Sequence, residues 1–468
     1  MPREHDLIIL GSGSTAFAAA LRAQSHGARV LMVEKGSLGG TCINWGCIPS
    51  KTLIHSALFY QEARLGARLG LGLQPGEIDF PRLMSHKNNV VDELRQTKYI
   101  EVLEQVPGLE VVRGTGRFTS PTTLQAGERL FEGERFLIAT GGYPSILKIP
   151  GLEGVPFLTS KSALMLKEFP RSLVIIGGGV IALELGQMFQ RLGTDVTILE
   201  HGPKILPAFE PEASRAIYEA LTEEGVRIHL NAAICSVAER DGMAVVESEI
   251  AGSRKEFSGE RLLLAVGTAP ATRDIGLEKA GVELDAKGFV KVDNAMRTSA
   301  PGIWAAGDVT GGMMIATVGA REGITAVENM FNTGCDCRMD YLTAPMAIFT
   351  DPEVAMVGHT EESAVQAGYD VVTSTLPVRA IPKALVTGHT AGVIKMVADR
   401  NTGRLLGIHL ASHRGADLIN EAALALRLHA TIDDLANTLH VYPSMGEGLR
   451  LCAQGFTRDV SRLSCCAE

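Results

Sequence analysis

The chain has 468 residues, 46% of them hydrophobic, and a formal net charge of −9 at pH 7. The length predicts about three domains at roughly 150 residues each, and the negative charge argues against nucleic acid and anionic membranes as partners. No apolar run approaches the roughly 20 residues that cross a bilayer, so we expect a cytoplasmic protein with no membrane span.

The first 35 residues carry a dinucleotide-binding pattern. The apolar run Leu7–Leu10 predicts a strand buried on both faces. Gly11 to Ala16 then reads G-x-G-x-x-A, at the start of a predicted helix that reaches Gly27, and a second strand ends at Glu34. The glycines let the backbone approach a pyrophosphate at the helix N-terminus, and the acid can bind ribose hydroxyls.

A cysteine pair follows in the segment Gly40-Thr41-Cys42-Ile43-Asn44-Trp45-Gly46-Cys47-Ile48-Pro49-Ser50-Lys51. The Pro-Ser-Lys at its end is typical of the first turn of a helix, whose positive end would lower the pKa of Cys47. A bare C-x4-C is equally typical of a structural disulfide or of two buried cysteines. Its position directly after a dinucleotide pattern favours a redox dithiol that faces a flavin.

The same pattern returns after Leu173–Ile176. Gly11 to Glu34 and Gly177 to Glu200 both span 23 positions, so the two units match in register. Two such units imply two nucleotides. Because the dithiol follows the first unit, we expect FAD there and a hydride-donating NADH or NADPH at the second.

The remaining apolar segments predict how the domains connect. Segments 136–142 and 262–267 look like an outgoing and a returning crossover, and 302–308 resumes the first domain. Asp308 then stands at a strand end, where a carboxylate can bind a flavin ribityl hydroxyl. We predict an α/β fold with two Rossmann-like nucleotide-binding domains and a C-terminal α+β domain. The predicted bounds are 1–145 and 269–338 for the FAD domain, 146–268 for the NAD(P) domain and 339–468 for the third domain.

These motifs resemble the flavin-dependent disulfide oxidoreductases, the family of glutathione reductase and dihydrolipoamide dehydrogenase. The likeness covers nearly the whole chain and includes both glycine patterns, GGTCINWGCIPSK, Ala139-Thr140-Gly141, Gly307-Asp308 and Phe349-Thr350-Asp351-Pro352-Glu353-Val354. It implies that Cys42 exchanges with substrate, that Cys47 contacts the flavin, and that Lys51 lies by the isoalloxazine and pairs with Glu184. It also implies a homodimer formed by the third domain, which completes the partner's active site.

The two glycine patterns and this resemblance together predict the nucleotide contacts. For FAD they are Gly11, Gly13, Thr15, Ala16, Glu34, Lys35, Gly40, Thr41, Lys51, Gly116, Thr140, Gly141 and Asp308. For the nicotinamide cofactor they are Gly177, Gly179, Glu184, Glu200 and Gly267. An acid at position 200 favours NADH, because it repels the 2′-phosphate of NADPH.

The C-terminal region departs from the family pattern. Members that reduce disulfides carry H-x-H-P-T-x-x-E, and its second histidine is the acid–base group for the thiols. Here the stretch is His440-Val441-Tyr442-Pro443-Ser444-Met445-Gly446-Glu447. A phenol with a pKa near 10 cannot shuttle protons at pH 7 as imidazole does. We therefore expect poor disulfide reduction and a structural role for His440.

The chain ends in a second departure, the pair Cys465-Cys466. Adjacent α-carbons lie about 3.8 Å apart, below the roughly 4.4 Å minimum of unstrained disulfides, so the pair should stay reduced. Soft thiolates select soft metals. With Tyr99 and Tyr442, this pair resembles the mercuric reductases, a branch of the family that usually favours NADPH.

That resemblance implies a reaction and its metal ligands. Cys465 and Cys466 would take Hg(II) from its thiolate complexes and pass it to Cys42 and Cys47 of the other subunit. Electrons from NAD(P)H would then reduce Hg(II) to Hg(0) through FAD. The tyrosines at 99 and 442 would contact the metal, and no general base is needed.

Two alternatives remain open. One is a dihydrolipoamide dehydrogenase-like NADH enzyme, which Glu200 supports and Tyr442 opposes. The other is a thiol-rich flavoprotein that sequesters metal without turnover. Elsewhere we expect Cys335-Asp336-Cys337 to form a surface loop rather than an auxiliary thiol site, and Cys235 and Cys452 to be packing residues.

Overall fold

The computed structural model describes residues 4–332 and 334–460. Cys465 and Cys466 lie outside the described residues, so their role stays a prediction. Within the described ranges, no helix combines the length and the apolar character needed to cross a membrane.

The first glycine pattern begins a five-stranded parallel sheet. Its strand order is Ile303–Ala305, Phe136–Ile138, Leu7–Leu10, Val30–Glu34 and Leu109–Arg113. Alternate side chains point to opposite faces: Leu7 and Ile9 pack with the helices on one face, and Ile8 and Leu10 pack with the strands on the other. The helices are Ser14–Ser25 and Ala316–Phe331, and the strands are Gly116–Ser120, Thr123–Ala126 and Arg129–Glu132. Both faces are covered, which is why the strand Leu7–Leu10 is apolar throughout.

The second glycine pattern builds a sheet of the same kind. Its strands run in the order Arg227–His229, Asp195–Leu199, Ser172–Ile176, Arg261–Leu264 and Phe157–Leu158, all parallel. The helices Val180–Arg191 and Pro211–Glu223 cover one face. Three antiparallel strands contribute to the core on the other face: Ala233–Arg240, Met243–Ile250 and Ser253–Gly259. The internal repeat predicted from the glycine spacing is therefore present as a repeated architecture.

The connection between the two sheets agrees with the predicted insertion. The strands of the second sheet all lie, in sequence, between Phe136–Ile138 and Ile303–Ala305 of the first. The outgoing and returning segments pair as the short antiparallel strands Gly142–Pro144 and Thr268–Pro270. The exact domain bounds remain a proposal.

The third part of the chain is an antiparallel α+β unit. Its strand order is Met346–Ile348, Glu353–Gly358, Leu405–Ser412, Val393–Asp399 and Val371–Pro377. The helices Gly415–Arg427, Ile432–Ala436 and Glu447–Gln454 pack with its core. With the two parallel sheets, this unit confirms the predicted α/β fold class.

The remaining helices are mostly short, and several surround the cysteine pair. They are Gly40–Trp45, Cys47–Leu65, Phe80–Arg95, Glu101–Gln105, Ser160–Ala163, Leu277–Ala280, Glu361–Gln366 and Pro382–Thr387. Single 3-10 turns lie at Gly66–Leu69, Leu152–Gly154, Asp308–Thr310 and Val378–Ala380, and a π-helical turn lies at Gln96–Ile100.

Candidate active site

The two cysteines of the C-x4-C segment lie on two consecutive helices. Cys42 is in the short helix Gly40–Trp45, and Cys47 is the first residue of the helix Cys47–Leu65. That helix starts two residues earlier than the Pro-Ser-Lys pattern predicted, because Gly46 already accepts its first hydrogen bond, from the Ser50 amide at 3.1 Å. Cys47 thus stands directly at the helix N-terminus, where the peptide dipoles favour a thiolate.

Both thiols are free and half-buried. The pKa of Cys47 is lowered to about 7, chiefly by a hydrogen bond between the two thiols; the charge of Lys51 and a backbone hydrogen bond also lower it, whereas burial and the charge of Glu184 raise it. The same hydrogen bond, followed by burial, raises the pKa of Cys42. The pair therefore ionises first at Cys47. The pKa of Cys47 is lowered, as predicted, but the main cause is the neighbouring thiol and not the helix N-terminus.

Lys51 and Glu184 form the pair that the family resemblance implies. Lys51 Nζ lies 2.7 Å from Glu184 Oε2, and Glu184 is only 5% exposed. The other carboxylate oxygen accepts a hydrogen bond of 2.9 Å from the Phe349 amide, and Lys51 Nζ lies 4.8 Å from the centroid of the Phe349 ring. One buried carboxylate thus ties the dithiol helix to the second sheet's helix and to the C-terminal unit.

Tyr99 lies near the dithiol on an unusual piece of backbone. It is part of the π-helical turn Gln96–Ile100, a conformation that is rare and often found at functional sites. Its ring packs on Phe17 with centroids 4.7 Å apart. Burial raises the pKa of Tyr99, and the negative charges of Cys42 and Cys47 raise it further, so the phenol keeps its proton and can donate a hydrogen bond.

Two polar residues brace the helix that carries Cys42, and the sequence patterns missed both. Arg95 Nη1 donates to Asn44 Oδ1 at 3.0 Å. Asn44 Nδ2 donates to the carbonyl oxygens of Leu38 and Gly40, each at 2.8 Å. An asparagine inside the C-x4-C segment is visible in the sequence, but nothing there links Asn44 to Arg95, which lies 51 positions away.

The backbone of the first glycine pattern leaves little room for side chains. Gly11 has φ +111°, and a Cβ atom there would lie 2.3 Å from the Ala139 carbonyl oxygen. Gly40 has φ +63°, and its Cβ would lie 2.6 Å from Gly13 Cα. Two loops therefore meet at the N-terminus of the helix Ser14–Ser25, which is the geometry that a pyrophosphate needs.

Several polar groups around these loops fit a bound FAD. Glu34 accepts hydrogen bonds from Ser12 Oγ at 2.6 Å and from the Gly36 amide at 2.5 Å, which fixes its carboxylate at the strand end. Within residues 4–332 and 334–460, Thr140 Oγ1 is buried without a hydrogen-bond partner. In the same ranges the Asp308 carboxylate has no side-chain partner, and burial raises its pKa. A polyol with phosphates would satisfy these groups.

Other predicted FAD residues occupy varied positions. A Cβ at Gly307 or Gly319 would lie 2.6 or 2.5 Å from Thr15 Oγ1. The Thr15 side chain therefore packs against these two glycines, and its contact with FAD stays a prediction. Ala16 is buried, Lys35 and Thr41 are exposed, Gly141 has φ +72°, and Gly116 packs closely against Val33.

Glu322 is a functional candidate that sequence reasoning missed. It is 1% exposed, and its Oε2 accepts from the Gly307 amide at 2.7 Å while Oε1 accepts from the Tyr341 hydroxyl at 2.8 Å. Burial raises the pKa of Glu322. It fixes the loop that presents Asp308. The same helix also carries Arg321 and Glu328, so no sequence pattern singled Glu322 out.

The second glycine pattern repeats the first closely. Gly177 also has φ +111°, and its Cβ would lie 2.4 Å from the Ala265 carbonyl oxygen. Among the described residues, space is open beside Gly179 and Gly267. Glu200 accepts from the Gly178 and Gly202 amides at 2.5 and 2.6 Å. This cradle fits a nicotinamide dinucleotide with its adenosine ribose near Glu200.

The predicted site residue Tyr442 lies in the third unit, on the surface of the single chain. It is 47% exposed, and its neighbours Leu439 and Val441 are 86% and 79% exposed. His440 lies beside it with its Nε2 2.8 Å from Glu421 Oε1, and this contact raises the pKa of His440. Exposed apolar residues around Tyr442 are typical of an interface.

Comparison with known proteins identifies the family. Residues 5–323 match the model of the pyridine nucleotide-disulphide oxidoreductases, and residues 344–453 match the model of their dimerisation domain. The chain belongs to this family. Membership implies FAD and NAD(P)H as cofactors, and the dimerisation domain supports the predicted homodimer.

Three relatives illustrate the range of this oxidoreductase family. The mercuric reductase of Staphylococcus aureus is 40% identical over 464 residues, 99% of this chain and 84% of that protein. The dihydrolipoyl dehydrogenase of Thermus scotoductus is 38% identical over 464 residues, 98% of each chain. A solved Cu(II) complex of the HOCl-induced flavoprotein disulfide reductase RclA from Escherichia coli has a TM-score of 0.87 at 32% identity, and the match covers 98% of this chain and 100% of that one.

The other cysteines divide into three kinds. Cys335 and Cys337 form a disulfide in a segment without regular structure, in agreement with the predicted loop. Cys452 is fully buried, as predicted for a packing residue. Cys235 is half-buried in the strand Ala233–Arg240, at a β-bulge between Ile234 and Ser236, and its packing role stays a prediction.

Proposed function

We propose that this chain is an NAD(P)H-dependent flavoenzyme that reduces Hg(II) to Hg(0) at Cys42 and Cys47. One observation carries the proposal: Tyr442 stands where disulfide-reducing members of the family have their acid–base histidine. Disulfide reduction must protonate a leaving thiolate, whereas Hg(II) takes up two electrons without a proton on the metal. The mercuric reductase relative at 40% identity supports the same reading.

The chemistry of the pair suits a soft metal. Thiolates are the preferred ligands of soft cations, and a Cys47 pKa of about 7 makes a thiolate available at neutral pH. Lys51 stabilises that charge. The protonated phenol of Tyr99 can hydrogen-bond near the thiols without competing for the metal as a strong ligand.

The overall reaction releases one proton and consumes none. FAD, when bound, transfers two electrons from the nicotinamide to the dithiol site. Overall, NAD(P)H and Hg(II) give NAD(P)⁺, one proton and Hg(0). Because Hg(0) no longer binds thiolate, it leaves Cys42 and Cys47 free for the next ion, and no histidine is required in the cycle.

The C-terminal cysteine pair is the part of the chain to which we assign the delivery of Hg(II). We propose that Cys465 and Cys466 take Hg(II) from thiol complexes by ligand exchange and pass it to the partner subunit's Cys42 and Cys47. The exposed apolar residues Leu439 and Val441 beside Tyr442 support an interface in this region, which would bring the C-terminal unit to the other subunit's site.

A second candidate is an NADH-dependent disulfide reductase of the dihydrolipoamide dehydrogenase kind. The Thermus scotoductus relative, 38% identical, supports it, and Glu200 is the acid expected for NADH. Tyr442 opposes it for the reason given above. A third candidate, sequestration without turnover, uses the same thiols.

Anaerobic turnover separates the three candidates. The FAD-loaded protein is mixed with NADH or NADPH and HgCl₂ in excess glutathione, and volatile mercury is trapped. We expect repeated turnover with one Hg(0) per NAD(P)H oxidised, and none in a Cys42→Ser/Cys47→Ser control. Stoichiometric binding without turnover supports sequestration, and activity with lipoamide alone supports the second candidate. A parallel series with Cu(II) tests the ion found in the Escherichia coli relative.

A further inference from the structure

A second cluster of metal-ligating side chains lies outside the dithiol site. One ligand atom each of Asp351, His389 and His413 lie within 4.8 Å of one another, and all three residues are partly buried. The two imidazole rings stack in parallel, with centroids 3.9 Å apart and an interplanar angle of 10°. The predicted reaction uses none of these residues.

A fourth side chain extends the cluster. Glu62 Oε1 lies 3.2 Å from His389 Nε2. Glu62 belongs to the helix that begins at Cys47, whereas the other three residues belong to the C-terminal unit. The cluster thus joins the dithiol helix to the antiparallel unit.

The position of Asp351 is fixed by its surroundings. Its Oδ2 accepts from Arg191 Nη2 at 2.8 Å. Its backbone amide and carbonyl each bond to the Gln187 side-chain amide at 2.8 Å. The other carboxylate oxygen of Asp351 therefore remains available to a metal ion. The Gln187 side chain holds the backbone of Asp351 at both its amide and its carbonyl. Such supporting contacts orient metal ligands and raise metal affinity.

The donor set indicates which ion would bind. Two imidazoles with one or two carboxylates are typical ligands of zinc, and imidazole also suits copper and nickel. The ligand atoms of a tetrahedral zinc site with bonds of about 2.0–2.1 Å lie about 3.3 Å apart. The present ligand atoms lie within 4.8 Å of one another, and because imidazole lone pairs lie in the ring planes, at least one of the two stacked rings must turn for both to bind one ion. Soft Hg(II), in contrast, prefers the thiols.

We propose that Asp351, His389 and His413, with Glu62 as a fourth ligand, bind one borderline divalent cation such as Zn(II) or Cu(II). Bound there, the ion cross-links the helix Cys47–Leu65 to the C-terminal unit. The site is independent of the proposed mercury reduction, because it uses none of the thiols.

Calorimetric titration with Zn(II) tests the site in the FAD-loaded full chain. Replacing Cys42, Cys47, Cys235, Cys465 and Cys466 by serine removes the competing thiols, since Cys452 is fully buried. We expect one Zn(II) per chain, bound at least ten times more weakly after His389→Gln or His413→Gln.

His26→Gln is the matched control. His26 Nε2 also lies 3.2 Å from a glutamate, Glu328, but it stacks on Phe331 instead of a second histidine. Zn(II) affinity should be unchanged in this variant. The proposal is overturned if no Zn(II) binds, or if all three variants bind it equally.

A spectroscopic measurement removes dependence on variant folding. Cu(II) added to the same serine-substituted protein, with its histidines intact, should give an electron paramagnetic resonance spectrum with splitting from two imidazole nitrogens. A spectrum with oxygen ligands alone contradicts the proposal. Added Zn(II) should also raise the melting temperature of this protein but not of its His413→Gln variant, and flavin content verifies that both are folded.

Discussion

Lys51 and Glu184 are 133 positions apart in the sequence, yet their side chains meet at 2.7 Å beside the cysteine pair. The lysine lowers the pKa of Cys47, and the glutamate raises it. The ion pair therefore makes two opposing contributions to the charge of Cys47, besides joining two parts of the chain.

This ion pair predicts that two substitutions shift the pKa of Cys47 in opposite directions. Lys51→Gln should raise the pKa of Cys47, and Glu184→Gln should lower it, since each removes one charge and keeps a similar shape. The thiolate absorbance of the reduced protein, followed against pH, measures both. Shifts in the same direction would contradict the assignment. Glu184→Gln should also destabilise the fold by about 1–3 kcal/mol, because it weakens buried hydrogen bonds to Lys51 and Phe349.

The cysteine pair predicts a pH-dependent flavin spectrum. A lowered pKa means that the Cys47 thiolate is fully present well above pH 7 and is lost as the pH falls through about 7. The long-wavelength thiolate–flavin absorbance of the reduced enzyme should follow this titration. Cys47→Ala should abolish the band.

Cys42→Ala should keep the band but move its midpoint to higher pH, because the hydrogen bond from Cys42 is the main cause of the lowered pKa. Both alanine variants should lose mercury reduction by at least about 100-fold while retaining FAD. The opposite assignment of the band would mean that the two roles are reversed.

Glu200 predicts the choice of nicotinamide. Its carboxylate is fixed by two backbone amides, so it can accept from ribose hydroxyls but repels a 2′-phosphate. NADH should be used at least as well as NADPH, and Glu200→Ala should shift the kcat/KM ratio toward NADPH by about tenfold, or about 1.4 kcal/mol. Steady-state kinetics with both cofactors measure this preference. A strong preference of the unmodified enzyme for NADPH would refute the role assigned to Glu200.

We predict that Tyr442→His gains disulfide reductase activity. It places an imidazole where disulfide-reducing relatives have one, and acid–base catalysis contributes about 100-fold or more. Lipoamide or glutathione disulfide reduction should rise by about that factor in the His variant. Tyr442→Phe is the control and should show no gain. Equal disulfide activity in all three proteins would remove the argument against the second candidate function.

Mixed dimers test the two-subunit site. A Cys42→Ala/Cys47→Ala chain and a Cys465→Ala/Cys466→Ala chain should each reduce mercury poorly when it is held by a bulky thiol. Mixing after unfolding, with refolding in FAD, makes about half the dimers mixed, each with one complete site, so activity should reach roughly a quarter of wild type. No rescue would show that each tail serves its own subunit.

The sequence alone determined the elements whose signals are local. The glycines at 11 and 177 mark turns that only glycine can form, and the equal spacing to Glu34 and Glu200 revealed the repeat. Runs such as Leu7–Leu10 are apolar because both faces of a parallel strand are covered. A turn that requires glycine and a strand covered on both faces each leave a pattern in consecutive residues, so the sequence can predict them.

Tertiary structure decided several contacts that no sequence pattern indicated. It joined Arg95 to Asn44, buried Glu322 under the Gly307 loop and packed the Thr15 side chain against Gly319 of a later helix. It also showed that Cys47 is acidified mainly by Cys42, where the sequence had suggested a helix dipole. Such contacts depend on how sheets and helices pack, and a pair such as Arg95 and Asn44, 51 positions apart, leaves no local periodicity by which the sequence could show it.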